Sequence, residues 1–115
     1  MCNENMSNTY NDSIKNTEAE FLNWCLRKGI PIFKIHYVVT WEKWDDVIGV
    51  YLFTKTNKEL QALKEKGLEK IKLEFLEGLR KNNYPFDSFP NVVFEFDSDQ
   101  NVQENYEGSY FYRLR

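Results

Sequence analysis

The amino-acid sequence predicts a single α+β domain, and three observations lead to this prediction. A chain of 115 residues has room for one hydrophobic core and hardly for two. Apolar side chains recur at helical spacing in two segments and alternate in four others. These segments follow the order α-β-β-α-β-β, which lacks the strand-helix-strand alternation of a parallel sheet. We therefore expect a four-stranded, mainly antiparallel sheet that two helices cover on one face.

The first helix is expected to follow a polar leader. Residues 1–12 are rich in Asn, so we expect a flexible leader before a domain that spans 13–115. Thr17 and Glu20 have the spacing of a capping box, which places the N-cap at Thr17. Gly29 supplies a C-terminal stop. The apolar stripe of this helix consists of Phe21, Leu22, Cys25 and Leu26.

Two strands are expected next, at residues 32–41 and 47–54. Both segments are rich in β-branched and aromatic side chains. The charged residues 42–46 between them are too few for a crossover helix and therefore predict an antiparallel hairpin. Two sets of side chains compete for the core face of the second strand: Ile48, Val50 and Leu52, or Val47, Tyr51 and Phe53.

A long helix and a second hairpin complete the predicted fold. Thr56 and Glu59 form another capping box, and apolar residues then recur at helical spacing to about residue 81. Strands are expected at 92–97 and 110–114, with a polar connection between them. The expected sheet positions are Phe33, Ile35, Tyr37, Val39, Val50, Leu52, Val92, Phe94 and Phe96. The helical residues expected to pack over them are Leu22, Leu63, Ile71 and Phe75.

Composition and charge narrow the classes of partner and compartment. No apolar run approaches the ~20 residues of a membrane helix, and the polar N-terminus does not resemble a signal peptide. Lys and Glu interleave on the long helix and the net charge is −3, so we expect no nucleic-acid partner. Two cysteines do not make a disulfide framework, which favours a reducing, cytoplasmic compartment.

Candidate catalytic residues are few, and we expect no enzyme activity and no cofactor. The single histidine, His36, lies in a strand without a partner nucleophile and carboxylate nearby in sequence. Cys25 lies on an apolar helical stripe, where core packing is the better interpretation than a reactive thiolate. An enzyme would instead need a pocket that gathers His36 with carboxylates of perturbed pKa.

A calcium loop is the one metal motif that the sequence suggests. Asp97, Asp99 and Asn101 place oxygen ligands at alternate positions, as such a loop begins. The loop then requires Gly at its sixth and Glu at its twelfth position, where this chain has Val102 and Gly108. We therefore expect an ordinary polar connection and no metal site.

Acidic residues are concentrated near the C-terminus. Residues 82–112 contain six Asp or Glu and no Lys or Arg, whereas residues 27–81 contain twelve basic and eight acidic groups. Tyr84, Phe86, Phe89, Tyr106 and Tyr110 are interleaved with the carboxylates. Such a mixture is typical of a surface for a basic protein partner, although aromatics that fill the core would give the same pattern. The residues predicted to bind the partner are Asp97, Asp99, Glu104, Tyr106 and Glu107.

The C-terminal stretch VVFEFDSDQNVQENYEGSYFYRLR resembles small bacterial toxin-immunity proteins, which are antidotes to polymorphic or contact-dependent toxins. The YezG-like immunity family shares the predicted order of elements. The resemblance implies a cytoplasmic, non-catalytic protein that binds and neutralises a cognate toxin, often a nuclease. The alternative is a general interaction or regulatory module, including a phage-type inhibitor. A stable complex with one neighbour-encoded toxin would separate the two.

Overall fold

The computed structural model of the protein describes residues 2–39, 47–87 and 90–114. Within these ranges the elements follow the order α-β-β-α-α-β-α-α. Their bounds are α1 (Cys2–Lys28), β1 (Lys34–Val39), β2 (Val47–Thr54), α2 (Asn57–Lys66), α3 (Glu69–Lys81), β3 (Asn91–Ser98), α4 (Asp99–Asn105) and α5 (Tyr110–Arg113). The strands form a three-stranded mixed sheet with the order β1-β2-β3.

Helix α1 begins well before the predicted N-cap at Thr17. It includes residues 2–12, which the sequence assigned to a leader. Thr17 is buried, and its hydroxyl donates to the Ser13 carbonyl oxygen at 2.7 Å, as in a helix interior. Ser13 in turn donates to the carbonyl oxygen of Asn82 at the end of α3 (2.6 Å), so contact with α3 supports this part of α1. No helix in the described ranges is long and apolar enough to cross a membrane.

Strands β1 and β2 pair antiparallel, which confirms the predicted hairpin. The register places Lys34 opposite Phe53 and Tyr37 opposite Val50. The charged connection at 42–46 and the predicted strand end at 40–41 lie outside the described residues.

The predicted long helix consists of two helices, α2 and α3. The capping box at the start of α2 is confirmed: the Glu59 amide donates to Thr56 Oγ1, and the Thr56 amide donates to Glu59 Oε1, each at 3.1 Å. The interruption occurs at Gly67, whose φ of 101° and ψ of 142° are accessible to glycine and strained for other residues. The long-helix prediction was wrong because Gly67 leaves the helical conformation and separates α2 from α3.

Strand β3 pairs with β2 in parallel, with Val47 beside Asn91 and Phe53 beside Asp97. The antiparallel pairing that the sequence predicted for the third strand is therefore wrong. The reason lies in the connection: α2 and α3 carry the chain back to the end of the sheet where β2 began. A strand that enters there runs in the same direction as β2.

The predicted fourth strand does not form, which corrects the expected four-stranded, mainly antiparallel sheet. Residues 110–113 form helix α5, and the polar connection before it contains α4. Both helices have serine N-caps: Ser98 accepts from the Asn101 amide, and Ser109 accepts from the Tyr112 amide. The chain remains α+β, with five helices and three strands in the described ranges.

The hydrophobic core lies between one sheet face, here called the helix face, and helices α1 to α3. On β2 this face presents Ile48, Val50 and Leu52, each 1% exposed, which decides between the two sets of side chains. Residues predicted for the core and found buried are Ile35, Val50, Leu52, Leu63, Ile71 and Phe75. Residues predicted for the core and partly buried against it are Leu22, Tyr37, Val92, Phe94 and Phe96.

The opposite sheet face, here called the α5 face, is covered at one end by α5. Phe53 points to this face and is fully buried, although β2 already contributes three residues to the core on the helix face. Lys34 and Asp97 flank Phe53 in the register of the sheet. Phe33, predicted for the core, precedes β1 and is 37% exposed.

Candidate functional site

The residues predicted to bind a partner lie on α4, on the turn that follows it, and at the end of β3. Asp97 is the penultimate residue of β3, Asp99 opens α4, and Glu104 lies in its last turn. Tyr106 follows as the C-cap of α4, and Glu107 adopts a positive φ of 55°. Gly108 also has a positive φ, so the two residues reverse the chain and bring α5 back over the α5 face.

Asp97 is a buried structural residue and does not belong to the surface that the sequence predicted for it. Its residue exposure is 7%, and its carboxylate accepts hydrogen bonds from Arg113 Nε and from Asn101 Nδ2, the latter at 2.9 and 3.1 Å. The Ser98 amide adds a further bond at 2.8 Å. Burial alone would raise the pKa of the Asp97 carboxyl, but the hydrogen bonds from Arg113 and Asn101 outweigh burial and lower it.

Arg113 is the residue that sequence reasoning missed. Besides its bond to Asp97, its Nη2 donates to Glu95 Oε1 at 2.9 Å. Its guanidinium carbon lies 5.7 Å from the ring centre of Tyr51 and 5.8 Å from that of Tyr106. These contacts fix α5 to β2, β3 and the end of α4. The sequence does single out Arg113 as a possible partner for a carboxylate: it is the first basic residue after Lys81, and six acidic residues precede it in residues 82–112.

Tyr110 anchors the other end of α5. Its ring centre lies 4.9 Å from that of Phe53 and 4.9 Å from that of His36. Its hydroxyl donates to Asp99 Oδ1, and burial together with this carboxylate raises the pKa of Tyr110, which keeps the phenol protonated as a donor. Lys34 Nζ lies 4.2 Å from the centre of the same ring. Tyr110 therefore helps to cover Phe53 and His36.

The outward side of α5 and the acidic end of α4 remain exposed. Phe111 is 71% exposed and Tyr112 is 51% exposed. Glu104 and Glu107 are exposed as well, whereas Asp99 and Tyr106 are half-buried. We call Glu104, Glu107, Phe111 and Tyr112 the C-terminal surface. Two of its four members were predicted from the sequence, while Phe111 and Tyr112 were assigned to a strand.

The other aromatic residues that the sequence grouped with the acidic segment do not lie on the C-terminal surface in the described ranges. Tyr84 is 5% exposed and Phe86 packs partly against the core, so both belong to the alternative in which aromatic residues fill the interior. Phe89 lies outside the described residues. The aromatic part of a binding surface therefore narrows to α5 and the turn before it.

The candidate nucleophile and the candidate calcium ligands occupy structural positions. Cys25 is fully buried and not in a disulfide; burial, and then the charge of Glu74, raise the pKa of its thiol to about 12. Asp97 and Asp99 belong to a strand end and a helix start, and they accept hydrogen bonds from Arg113 and Tyr110. In the described ranges no three His, Cys, Asp or Glu side chains are grouped to hold a metal ion.

Comparison with known proteins gives no match for this chain: no protein-family model, no curated protein and no solved structure is similar to it. The resemblance of its C-terminal stretch to immunity proteins therefore stays a prediction.

Proposed function

We propose that this protein is a cytoplasmic immunity protein that binds and neutralises a cognate basic toxin through its C-terminal surface. The observation that carries the proposal is the exposure of two adjacent aromatic residues, Phe111 and Tyr112, on α5, which contacts Asp99 of α4 and the C-cap Tyr106. Exposed Glu104 and Glu107 lie on α4 and in the turn that leads to α5. The class of partner comes from the resemblance of residues 92–115 to immunity proteins. In this role the protein needs no catalytic group of its own.

Exposed aromatic residues suit the centre of a protein interface. Tyr and Phe bury a large area while losing few rotamers, and Tyr is enriched among the residues that dominate binding energy. The ring centres of Phe111 and Tyr112 lie 6.0 Å apart, so one partner surface can cover both. Their side chains project from an element whose other residues, Tyr110 and Arg113, contact the sheet.

The fixed position of α5 should favour binding. A four-residue helix alone would be disordered in water, and ordering it on binding would cost conformational entropy. Here Arg113 bonds to Asp97 and Glu95, and Tyr110 packs on Phe53. Much of the conformational entropy of α5 is therefore lost during folding and does not oppose partner binding.

Charge complementarity points to a basic partner. Arg113 pairs with Glu95 and Asp97 and balances one of their two negative charges. Glu104 on α4 and Glu107 in the turn after it add two exposed carboxylates. A nuclease toxin needs a positive surface for phosphates, and carboxylates on an inhibitor would be attracted to it. Such attraction speeds encounter and weakens as salt is added.

The test is co-expression with the protein encoded immediately upstream. We expect this chain to restore growth and to co-purify with that protein. Phe111→Ala and Tyr112→Ala should each weaken the complex by about thirtyfold, because interface aromatics of this kind contribute roughly 2 kcal/mol or more. Glu104→Lys with Glu107→Lys should slow association about tenfold at low salt.

Matched controls are available on α2 and α3. Glu65→Lys changes an exposed charge, and Leu73→Ala shortens a side chain that is 62% exposed; neither should alter affinity. Absence of both rescue and complex would contradict the immunity function. A complex that forms with unchanged affinity in the α4 and α5 variants would place the binding surface elsewhere.

A further inference from the structure

His36 lies beneath α5 with a polar atom that has no hydrogen-bond partner. Its Nε2 is buried and accepts or donates no bond within the described ranges. The imidazole centre lies 4.9 Å from that of Tyr110 on α5 and 5.8 Å from that of Phe53 on β2. Buried polar atoms in proteins are nearly always hydrogen-bonded, so an unsatisfied one calls for an explanation.

We propose that α5 is a pH-sensitive latch, which stays closed over neutral His36 and opens when His36 is protonated. In the neutral tautomer with the proton on Nδ1, Nε2 carries a lone pair, which costs less to leave unpaired than a charged N–H donor. Protonation converts Nε2 into a charged donor, which must then find an acceptor or reach water. Opening α5 supplies water to that atom.

The charges around the imidazole disfavour a second cation there. Lys34, two residues away on the same face of β1, already places its ammonium group 4.2 Å from the centre of the Tyr110 ring. Desolvation first, and then the charge of Lys34, lower the pKa of His36. From β2, Tyr51 is the cross-strand neighbour of His36.

The anionic groups on the neighbouring elements are already bonded to other partners. Arg113 binds Asp97 and Glu95, and the Tyr110 hydroxyl donates to Asp99. An imidazolium at His36 would have to compete with these donors for a carboxylate. The arrangement therefore stabilises the neutral ring.

Because the closed state prefers the neutral ring, its stability should decrease as pH falls. With α5 open, His36 titrates near its ordinary pKa of about 6.5; with α5 closed, its pKa is lower. The closed state is therefore fully favoured above pH ~6.5 and loses stability as pH falls toward the lower value. His36 is the only histidine in the chain, so its substitution isolates the effect of an imidazole.

Opening is expected to be local. Helix α5 has four residues and is held by a few side-chain contacts, whereas β1 is held by its ladder with β2. Short peripheral elements open at lower free energy than central strands. If the proposed function is correct, opening would also displace Phe111 and Tyr112, so binding to the toxin would weaken in acid.

Hydrogen exchange of the whole chain tests the latch without any partner. The amides of Arg113 and Leu114, which donate within α5, should lose protection by up to about tenfold between pH 7 and 5.5 after correction for intrinsic exchange. The Leu52 amide of the central strand should not change. His36→Phe keeps an aromatic ring in place, and the pH effect should vanish in that variant.

Lys34→Gln provides an independent variant if His36→Phe does not fold. Removing the ammonium group should raise the midpoint of the transition toward pH ~6.5. Equal protection of α5 at both pH values in the wild type would overturn the proposal. So would a transition that persists in His36→Phe, or a midpoint that Lys34→Gln leaves unchanged. None of these results bears on toxin binding, so the two proposals can fail separately.

Discussion

The role of Asp97 depends on a residue far along the chain. In the sequence it stands among the acidic residues near the C-terminus, so we grouped it with a partner-binding surface. In the structure its carboxylate pairs with Arg113, sixteen positions later, and both side chains are largely buried, at 10% and 14% exposure. The residues next to Asp97 in sequence do not identify Arg113 as its partner. The charge reversal of Asp97 would therefore disturb the fold before it tested any interface.

At this scale we predict that Asp97→Asn lowers the free energy of unfolding by about 1.5–3 kcal/mol at pH 7, because Arg113 loses a charged acceptor. The hydrogen bonds lower the pKa of the Asp97 carboxyl below its ordinary value of 3.8. Its contribution is therefore present above pH ~3.8 and is lost as pH falls through the lower folded-state value. Urea unfolding across this pH range measures the difference.

Asp87→Asn is the matched control, because Asp87 is an exposed carboxylate of the same acidic segment. Its substitution should change stability by less than about 0.5 kcal/mol. An equal effect of the two substitutions, or an Asp97→Asn effect that persists at pH 2, would mean that the pair with Arg113 contributes little.

At the scale of elements, Gly78 sets how closely α1 and α3 pack. A Cβ at this position would lie 2.9 Å from Thr17 Cγ2, and Thr17 is itself buried and bonded to Ser13. Asn82 strengthens the same junction, since its Nδ2 donates to Thr17 Oγ1 at 3.2 Å. Gly78 is therefore a point of close contact between α1 and α3.

We predict that Gly78→Ala destabilises the protein by about 1 kcal/mol. Alanine improves helix propensity by about 1 kcal/mol, but overpacking against Thr17 costs roughly 1–3 kcal/mol. Thr17→Ser removes the methyl group and keeps the hydroxyl, so Gly78→Ala should be neutral or stabilising in that background. Thermal or urea unfolding of the four variants gives the coupling. Stabilisation by Gly78→Ala in both backgrounds would contradict the close contact.

Helix α5 shows why a short element could not be assigned from its own residues. Residues 110–114 are rich in aromatic side chains, which favour strands. A strand would send Tyr110 and Arg113 to opposite faces, whereas positions three apart share one side of a helix. Only the helix lets Tyr110 reach Phe53 while Arg113 reaches Asp97. Tertiary contacts therefore outweighed local propensity.

At the scale of the whole molecule, Phe75 on α3 contacts both α1 and the sheet. It is 1% exposed on α3, and its ring centre lies 5.2 Å from that of Phe21 on α1 and 5.8 Å from that of Phe94 on β3. We predict that Phe75→Ala lowers the free energy of unfolding by about 3–5 kcal/mol, measured by urea unfolding. Leu73→Ala on the exposed side of α3 should change it by less than about 0.5 kcal/mol. Similar losses for both variants would mean that α3 does not pack as described.

The sequence by itself determined the features that depend on neighbouring residues. The capping box of α2, strand β2 and the buried stripe with Ile71 and Phe75 were all predicted, because capping and amphipathic periodicity act within a few positions. Exposed Glu104 and Glu107 were likewise predicted for the candidate site.

Only the tertiary structure decided the features that depend on distant residues. The parallel direction of β3 follows from the crossover through α2 and α3. Ser13 and Thr17 lie inside α1, where they contact Asn82 at the end of α3. The C-terminal surface exists because Arg113 and Tyr110 hold α5 against the sheet. When the stabilising partner of a side chain lies on another element, the residues near that side chain in sequence do not identify the partner. For this reason only the tertiary structure shows that Asp97 is buried and that Phe111 is exposed.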